Sequence, residues 1–175
     1  MDWMYDCGFS KSELLPFMYP SQEEFEKNNI QIVYLGWFLG DWSEVNNAMY
    51  SVGSGLEIRD DIVENTGDLY GVTALDEEWV TLNQMIKFYK FGFGRMSDYV
   101  NEDIRNGRLN REDGITLIEK YDDACSNENI KSFCHYIKIN QGEFWEQVHK
   151  SMNKNLFGLD KNYKIVKKFK VGYDS

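Results

Sequence analysis

From residue 75 to residue 148 the apolar positions recur at three- and four-residue steps, the spacing of helices that bury one face. Leu75, Trp79, Leu82, Met85, Ile86 and Tyr89 form one stripe, and Met96, Tyr99, Val100 and Ile104 a second. Ile115, Leu117, Ile118 and Tyr121 make a third, Ile130, Phe133, Cys134 and Ile137 a fourth, and Phe144, Trp145 and Val148 a fifth. The first predicted helix begins near Ala74 or Asp76, with Asp76, Glu77 and Glu78 at its positive end, and runs to Lys90. The second runs from Arg95 to Asn106, with Gly107 placed to end it. Asn110 with Asp113 opens the third, and Asn140-x-x-Glu143 caps the last. Short polar joints such as Ser126-Asn-Glu-Asn129 separate the later helices, as in a small bundle of antiparallel neighbours.

Upstream the pattern changes. Ser10-x-x-Glu13 and Ser21-x-x-Glu24 are capping boxes for two short helices, the first ending near Pro16. Residues 30–37 are β-branched and aromatic and predict a strand, for which nothing earlier in the chain supplies an equal partner. A helix is expected from Ser43 to Val52, stopping at Gly53. Residues 56–73 carry no assignable period and are long for a structureless loop, and loops of that length are often functional. At the end, Tyr163-Lys-Ile-Val-Lys-Lys-Phe-Lys-Val171 alternates apolar and basic residues, as an edge strand protected by lysines would. The fold class is therefore mainly α, a small helical bundle with one or two short strands, in three segments: 1–40, the helical domain 41–160, and a basic tail 161–175.

Composition narrows the function classes. A chain of 175 residues with 42% hydrophobic and 15% aromatic content can bury a real core. No apolar run approaches the roughly 18 to 20 residues that span a bilayer, and the N-terminus lacks the basic start and apolar centre of a signal peptide, which predicts a cytoplasmic protein without a membrane partner. The net charge of −10 argues against nucleic acid as a partner. Cys7, Cys125 and Cys134 form no Cys-x-x-Cys unit, and although Cys134-His135 invites a metal reading, His149 is the one other histidine, so buried inert thiols and no metal are expected.

Against that acidic background, six basic residues (Lys87, Lys90, Arg95, Arg105, Arg108 and Arg111) fall in a window with three acids (Asp98, Glu102 and Asp103). Lys87 and Lys90 are helical neighbours, and Gly92 and Gly94 in Phe-Gly-Phe-Gly-Arg95 break the helix while Phe91 and Phe93 are expected to pin the turn to a core. One reading is a site for an anionic ligand. The other is a solvated cationic face and a tight helix-helix turn. The run is not a phosphate loop, since it lacks the Gly-Lys-Ser/Thr ending and the strand-before, helix-after context of a dinucleotide fingerprint.

Tyr89-Lys-Phe-Gly-Phe-Gly-Arg95, Asp103-Ile-Arg-Asn-Gly-Arg-Leu-Asn-Arg-Glu-Asp113 and Lys120-Tyr-Asp122, in that order, resemble the C-terminal half of bacterial N-acetyl sugar amidotransferases. Asn29-Ile-Gln-Ile-Val-Tyr-Leu-Gly36 resembles the family's strand, Asn65-Thr-Gly-Asp-Leu-Tyr70 an altered form of its Glu-Gly-Thr-Tyr loop, and Glu143-Phe-Trp-Glu146 its late helix, so the likeness covers residues 10–157. The family is similar to ATP pyrophosphatases of the asparagine synthetase and GMP synthetase type. The resemblance implies that segment 1–40 is the remnant of an α/β nucleotide-binding half. It also implies that ATP with Mg2+ activates a sugar's acetamido oxygen by adenylylation, after which ammonia from a glutaminase and a cyclase-like partner leaves an acetamidine. The products would be modified sugars of lipopolysaccharide or flagellin glycans, such as pseudaminic and legionaminic acid derivatives.

The family's Ser-Gly-Gly-x-Asp-Ser nucleotide loop and cysteine-bearing N-terminus are not in the sequence, and Ala74 and Trp79 differ from its more polar helix entry. ATP would then be bound mostly by a half not present here, and the isolated chain is expected to be inactive. In the enzymatic reading Lys87, Lys90 and Arg95 are the first substrate or phosphate ligands, with Arg105, Arg108 and Arg111 second unless these three pair with Asp103, Glu112 and Asp113. That reading needs no nucleophile or metal from this chain. The alternative is a non-catalytic module that docks on a separate nucleotide-binding subunit or on the glutaminase.

Overall fold

The computed structural model describes residues 2–40 and 42–173. Met1, Asp41, Asp174 and Ser175, the last two belonging to the basic tail, lie outside the described residues, as does the side chain of Trp37. The chain divides into two compact units, Met1–Trp42 and Ser43–Ser175.

The first unit holds α1 (Asp2–Asp6), α2 (Lys11–Leu14) running into a 3-10 turn (Leu15–Phe17), α3 (Gln22–Lys27) and a second 3-10 turn (Leu35–Trp37). Both expected capping boxes are present, Ser10 with Glu13 and Ser21 with Glu24. The strand expected over residues 30–37 does not form. Residues 30–34 have no ladder partner among the described residues, and Ile30, Ile32, Val33, Tyr34 and Leu35 are exposed. The reason is physical: β propensity measures how well side chains fit a paired, half-buried pleat, and without a neighbouring strand the same residues gain nothing from it.

The second unit is helical, with a small hairpin at its end. It contains α4 (Glu44–Gly53), α5 (Val63–Thr66), α6 (Val80–Phe91), α7 (Arg95–Arg105), α8 (Arg111–Tyr121), α9 (Asn127–Ile137) and α10 (Gln141–Ser151), then β1 (Phe157–Leu159) paired antiparallel with β2 (Ile165–Lys167). The caps follow the sequence. Ser43, Asn110, Ser126 and Asn140 each accept the N–H three residues on, and Gly107 ends α7 at φ 68°. One core joins α6, α9 and α10 through Leu82, Met85, Ile130, Cys134, Phe144 and Val148. A second joins α7 and α8 through Met96, Val100 and Tyr121, and a third sets Phe88 and Met152 on Phe157 of the hairpin. The molecule is thus mainly α, as its periodicity implies. Among the described residues no helix is long and apolar enough to cross a membrane.

Two expectations need correction. The helix expected from residue 74 begins instead at Val80, because Ala74 sits at φ 45° and the Arg59 guanidinium donates to the Ala74 and Glu77 carbonyls, holding residues 74–79 as turns. Leu75 therefore lies in a turn and is exposed, and Ile137 at the end of its stripe is exposed as well. Nor do Phe91 and Phe93 pin a core. Both are exposed, tilted against each other at 6.2 Å, with the Lys87 ammonium 4.7 Å from the Phe93 ring.

Candidate functional site

The break between α6 and α7 is built by close approach of backbone rather than by its phenylalanines. At Gly92, φ is 84°, which favours a residue without a side chain. A Cβ on Gly94 would lie 2.1 Å from the Asp122 carbonyl oxygen, so only glycine lets the start of α7 touch the end of α8. Asp122 uses that contact. Its carboxylate accepts the Gly94 N–H (2.9 Å), the Ser97 N–H (2.8 Å) and the Ser97 hydroxyl (2.7 Å), capping α7 from another helix. Burial pushes the Asp122 carboxyl above the usual carboxylate range, against the pull of those three bonds.

Asp68 organises the segment that carries no period in the sequence. Its oxygens accept the N–H groups of Tyr70 (3.1 Å), Gly71 (2.9 Å) and Thr73 (3.1 Å) and the Tyr99 hydroxyl (2.7 Å). A loop of this kind satisfies its backbone through one buried carboxylate instead of a ladder. Thr73 then hydrogen-bonds Tyr99, Arg95 and Glu44. Asp103, further along α7, is a second such acceptor, taking the Tyr70 hydroxyl and Arg108 through Nε (2.8 Å) and Nη2 (2.7 Å). Burial and the Asp103 hydrogen bond push the Tyr70 phenol up to about 12, and burial raises Tyr99 further. The two rings meet edge to face at 5.3 Å.

Asp68, Asp103 and Asp122 are all buried. They tie Asn65-Thr-Gly-Asp-Leu-Tyr70, Gly94-Arg95, Asp103-to-Arg108 and Lys120-Tyr-Asp122 into one polar network. The Arg95 guanidinium sits inside it, bonded to Glu44 and Thr73, with its carbon 4.5 Å from the Tyr99 ring. Burial works against that charge, but Tyr99, Glu44 and Asp68 outweigh it and raise the arginine's pKa. Its Nε, the Nε of Arg59 and Oε1 of Gln84 are buried without protein partners, and these three residues line a cavity with room for about one water molecule.

The six cations of the central stretch therefore separate. Arg95 is held inside by Glu44, and Arg108, nearer the surface, is engaged by Asp103 and Glu102. Lys87 pairs with Asp98 at 2.9 Å at the surface, and Arg111 donates to the Gly172 carbonyl. Lys90 and Arg105 are exposed and have no side-chain partner among the described residues. The pairing of Arg108 with Asp103 was legible as an alternative to ligand binding. Asp68, Arg59 and Glu44 were not, since they stand in or before a stretch without period. Burial raises the Cys125 and Cys134 thiols, but Cys7 is exposed just past the short first helix and corrects the expectation of buried cysteines; among the described residues no cluster of three His, Cys, Asp or Glu side chains is placed to hold a metal ion.

A family model described as LPS biosynthesis protein WbpG-like, C-terminal domain, matches residues 64–170. The match takes in Asp68, Arg95, Asp103 and Asp122 and leaves Glu44 and Arg59, which complete the network, outside it. No curated protein matches the chain.

Proposed function

Because the chain belongs to the family of LPS biosynthesis proteins with the WbpG-like C-terminal domain, we propose that it is a component of an ATP-dependent amidotransferase that converts the acetamido group of an N-acetyl sugar to an acetamidine. The observation that supports this most is the convergence of its separated motifs on one buried network, which keeps the matched segment an integrated unit with Arg95 held at a fixed place. In this reaction the acetamido oxygen attacks the α-phosphorus of ATP and pyrophosphate leaves. Ammonia then adds to the activated carbon, and AMP departs with the oxygen.

This chain's contribution is positional. Asp122 holds the α6–α7 break and Arg95, through Thr73, holds the Asp68 loop, while Lys90 and Arg105 in solvent, and Lys87 and Arg111 once released from Asp98 and the Gly172 carbonyl, supply charge to a phosphate or sugar carboxylate. ATP, and any magnesium with it, is held mostly by a separate nucleotide-binding half. A glutaminase and a cyclase-like subunit deliver the ammonia. The test is reconstitution with that half, an N-acetyl sugar, ATP and ammonium, following AMP release. Lys90→Ala and Arg105→Ala should each lower kcat/KM about tenfold or more, the value of one charge-assisted contact.

A second reading has its own observation. Val45, Met49, Val52, Ile58, Tyr70 and Val72 line an apolar groove of about 230 Å³ along α4. A non-catalytic module would dock on the nucleotide-binding subunit or glutaminase through such a face. In that case Met49→Glu abolishes the complex, while Lys90→Ala and Arg105→Ala leave turnover intact.

A further inference from the structure

The cavity of about 10 Å³ between the Asp68 loop, the first turns of α6 and Arg95 has room for one water and for no organic ligand. Most polar groups of its wall are engaged by the protein. The Thr66 hydroxyl donates to the Ile62 carbonyl (3.3 Å), the Thr81 hydroxyl accepts from the Asn129 amide (3.0 Å), and Thr73 is bonded to Glu44, Arg95 and Tyr99. Both arginines commit Nη2 elsewhere, Arg59 to the Ala74 and Glu77 carbonyls and Arg95 to Glu44 and Thr73.

Three atoms of wall residues remain: the Nε–H donors of Arg59 and Arg95, and the acceptor Oε1 of Gln84. All three are buried, and none bonds another. A buried donor on a charged group is costly to leave unmet, so these atoms call for an occupant that serves all of them. Asp68 adds a fourth contact point, because its Oδ2 lines the same loop and accepts one protein N–H, from Thr73 (3.1 Å).

Donor and acceptor chemistry separates the candidates. A halide would accept from both guanidinium groups but would meet the lone pairs of Gln84 Oε1 and the Asp68 carboxylate. A metal cation would suit those oxygens but would meet two guanidinium charges. Water has two lone pairs for the arginines and two protons, one for Gln84 and one for Asp68, which matches the two to four partners of a buried water. We propose that the cavity is the site of one resident water, and that through it Gln84 is a positioning residue that ties the Arg95 guanidinium to that of Arg59. Arg59 stands before the matched residues 64–170, while Gln84 and Arg95 lie within them. The water is thus a joint between the segment that sets the start of α6 and the arginine at the start of α7. Its placement depends on the cavity alone and holds whatever reaction the chain serves.

The test is NMR of the full chain with nitrogen-labelled arginine, reading magnetisation transfer from the water line to the Arg59 and Arg95 Nε–H signals. NOE and ROE peaks of opposite sign are expected at both, the mark of a water held longer than the molecule takes to tumble, whereas proton exchange gives peaks of one sign. Gln84→Leu keeps the bulk and removes the acceptor, and should speed solvent exchange of the Arg95 Nε–H about tenfold or more. Gln84→Glu restores an acceptor and should return that rate to the wild-type value or below. Added chloride should shift neither signal saturably. Water peaks missing from either arginine, wild-type exchange in Gln84→Leu, or no rescue by Gln84→Glu overturns the proposal. A saturable chloride shift overturns it too, since it would mean that the Gln84 amide turns its nitrogen inward and makes the cavity a halide site. If Gln84→Leu does not fold, the wild-type water peaks, the chloride titration and the exchange rate in Gln84→Glu decide the matter.

Discussion

Replacing Gly94 with alanine isolates the contact on which the polar network rests. The backbone angles at Gly94, φ −122° and ψ −153°, suit any residue, so the cost is purely one of space. The new methyl would stand 2.1 Å from the Asp122 carbonyl oxygen, 3.0 Å from Oδ1 and 3.2 Å from the carbonyl carbon. A backbone atom cannot rotate away, so the end of α8 must retreat from the start of α7. That retreat carries off the carboxylate that accepts from Gly94 and Ser97. Overpacking costs about 1–3 kcal/mol, and buried donors left unpaired about 1–3 kcal/mol each. A loss of about 3–5 kcal/mol follows, a large share of the roughly 5–15 kcal/mol of a whole domain. Gly107→Ala is the control, because φ there is 68° and no atom lies within 4 Å of the added carbon, which leaves only a conformational cost of about 1–2 kcal/mol. Urea unfolding followed by tryptophan fluorescence compares the two. If Gly94→Ala costs no more than Gly107→Ala, the contact with Asp122 does not hold the network.

Asp122 also makes a pH-dependent prediction. Its folded pKa is raised above 3.8, so the folded chain keeps a proton that the unfolded chain has released, and stability from this group falls as pH rises through the folded value. The unfolding free energy of the wild type minus that of Asp122→Asn should therefore slope downward above about pH 4 and flatten once the carboxyl has ionised, and an upward slope contradicts the assignment. For the cysteines, Cys7 is exposed while burial raises the thiols of Cys125 and Cys134. Brief iodoacetamide treatment of the native chain should give one adduct, at Cys7 by peptide mass spectrometry, and early labelling of Cys134 would contradict the buried core.

The elements that local chemistry specifies were legible from the sequence. Ser43, Asn110, Ser126 and Asn140 cap as their side chains dictate, and Gly53 and Gly107 stand at helix ends because each pairing is settled within a few residues. What depended on distant partners was not. Val80 opens α6 because Arg59, fifteen or more residues earlier, holds the turn before it. The run at residues 30–34 has strand composition but pairs with no strand among the described residues, and periodicity cannot report whether a partner lies alongside. Asp68 was hidden for the same reason, since its ligands are mostly backbone N–H groups that no side-chain pattern records. For the candidate site, the sequence located the cationic stretch and offered Asp103 as a partner for Arg108, but could not say that Glu44 engages Arg95 while Lys90 and Arg105 stand in solvent.

Isotope tracing through the reconstituted reaction tests the central claim most directly. An N-acetyl sugar labelled with heavy oxygen in its acetamido group is incubated with this chain, the nucleotide-binding half, ATP and heavy-nitrogen ammonium, and the products are resolved by mass spectrometry. The account predicts heavy oxygen in the phosphate of AMP and heavy nitrogen in an acetamidino sugar, both lost when this chain is omitted. Heavy oxygen retained in the sugar, or unchanged turnover without this chain, would contradict it.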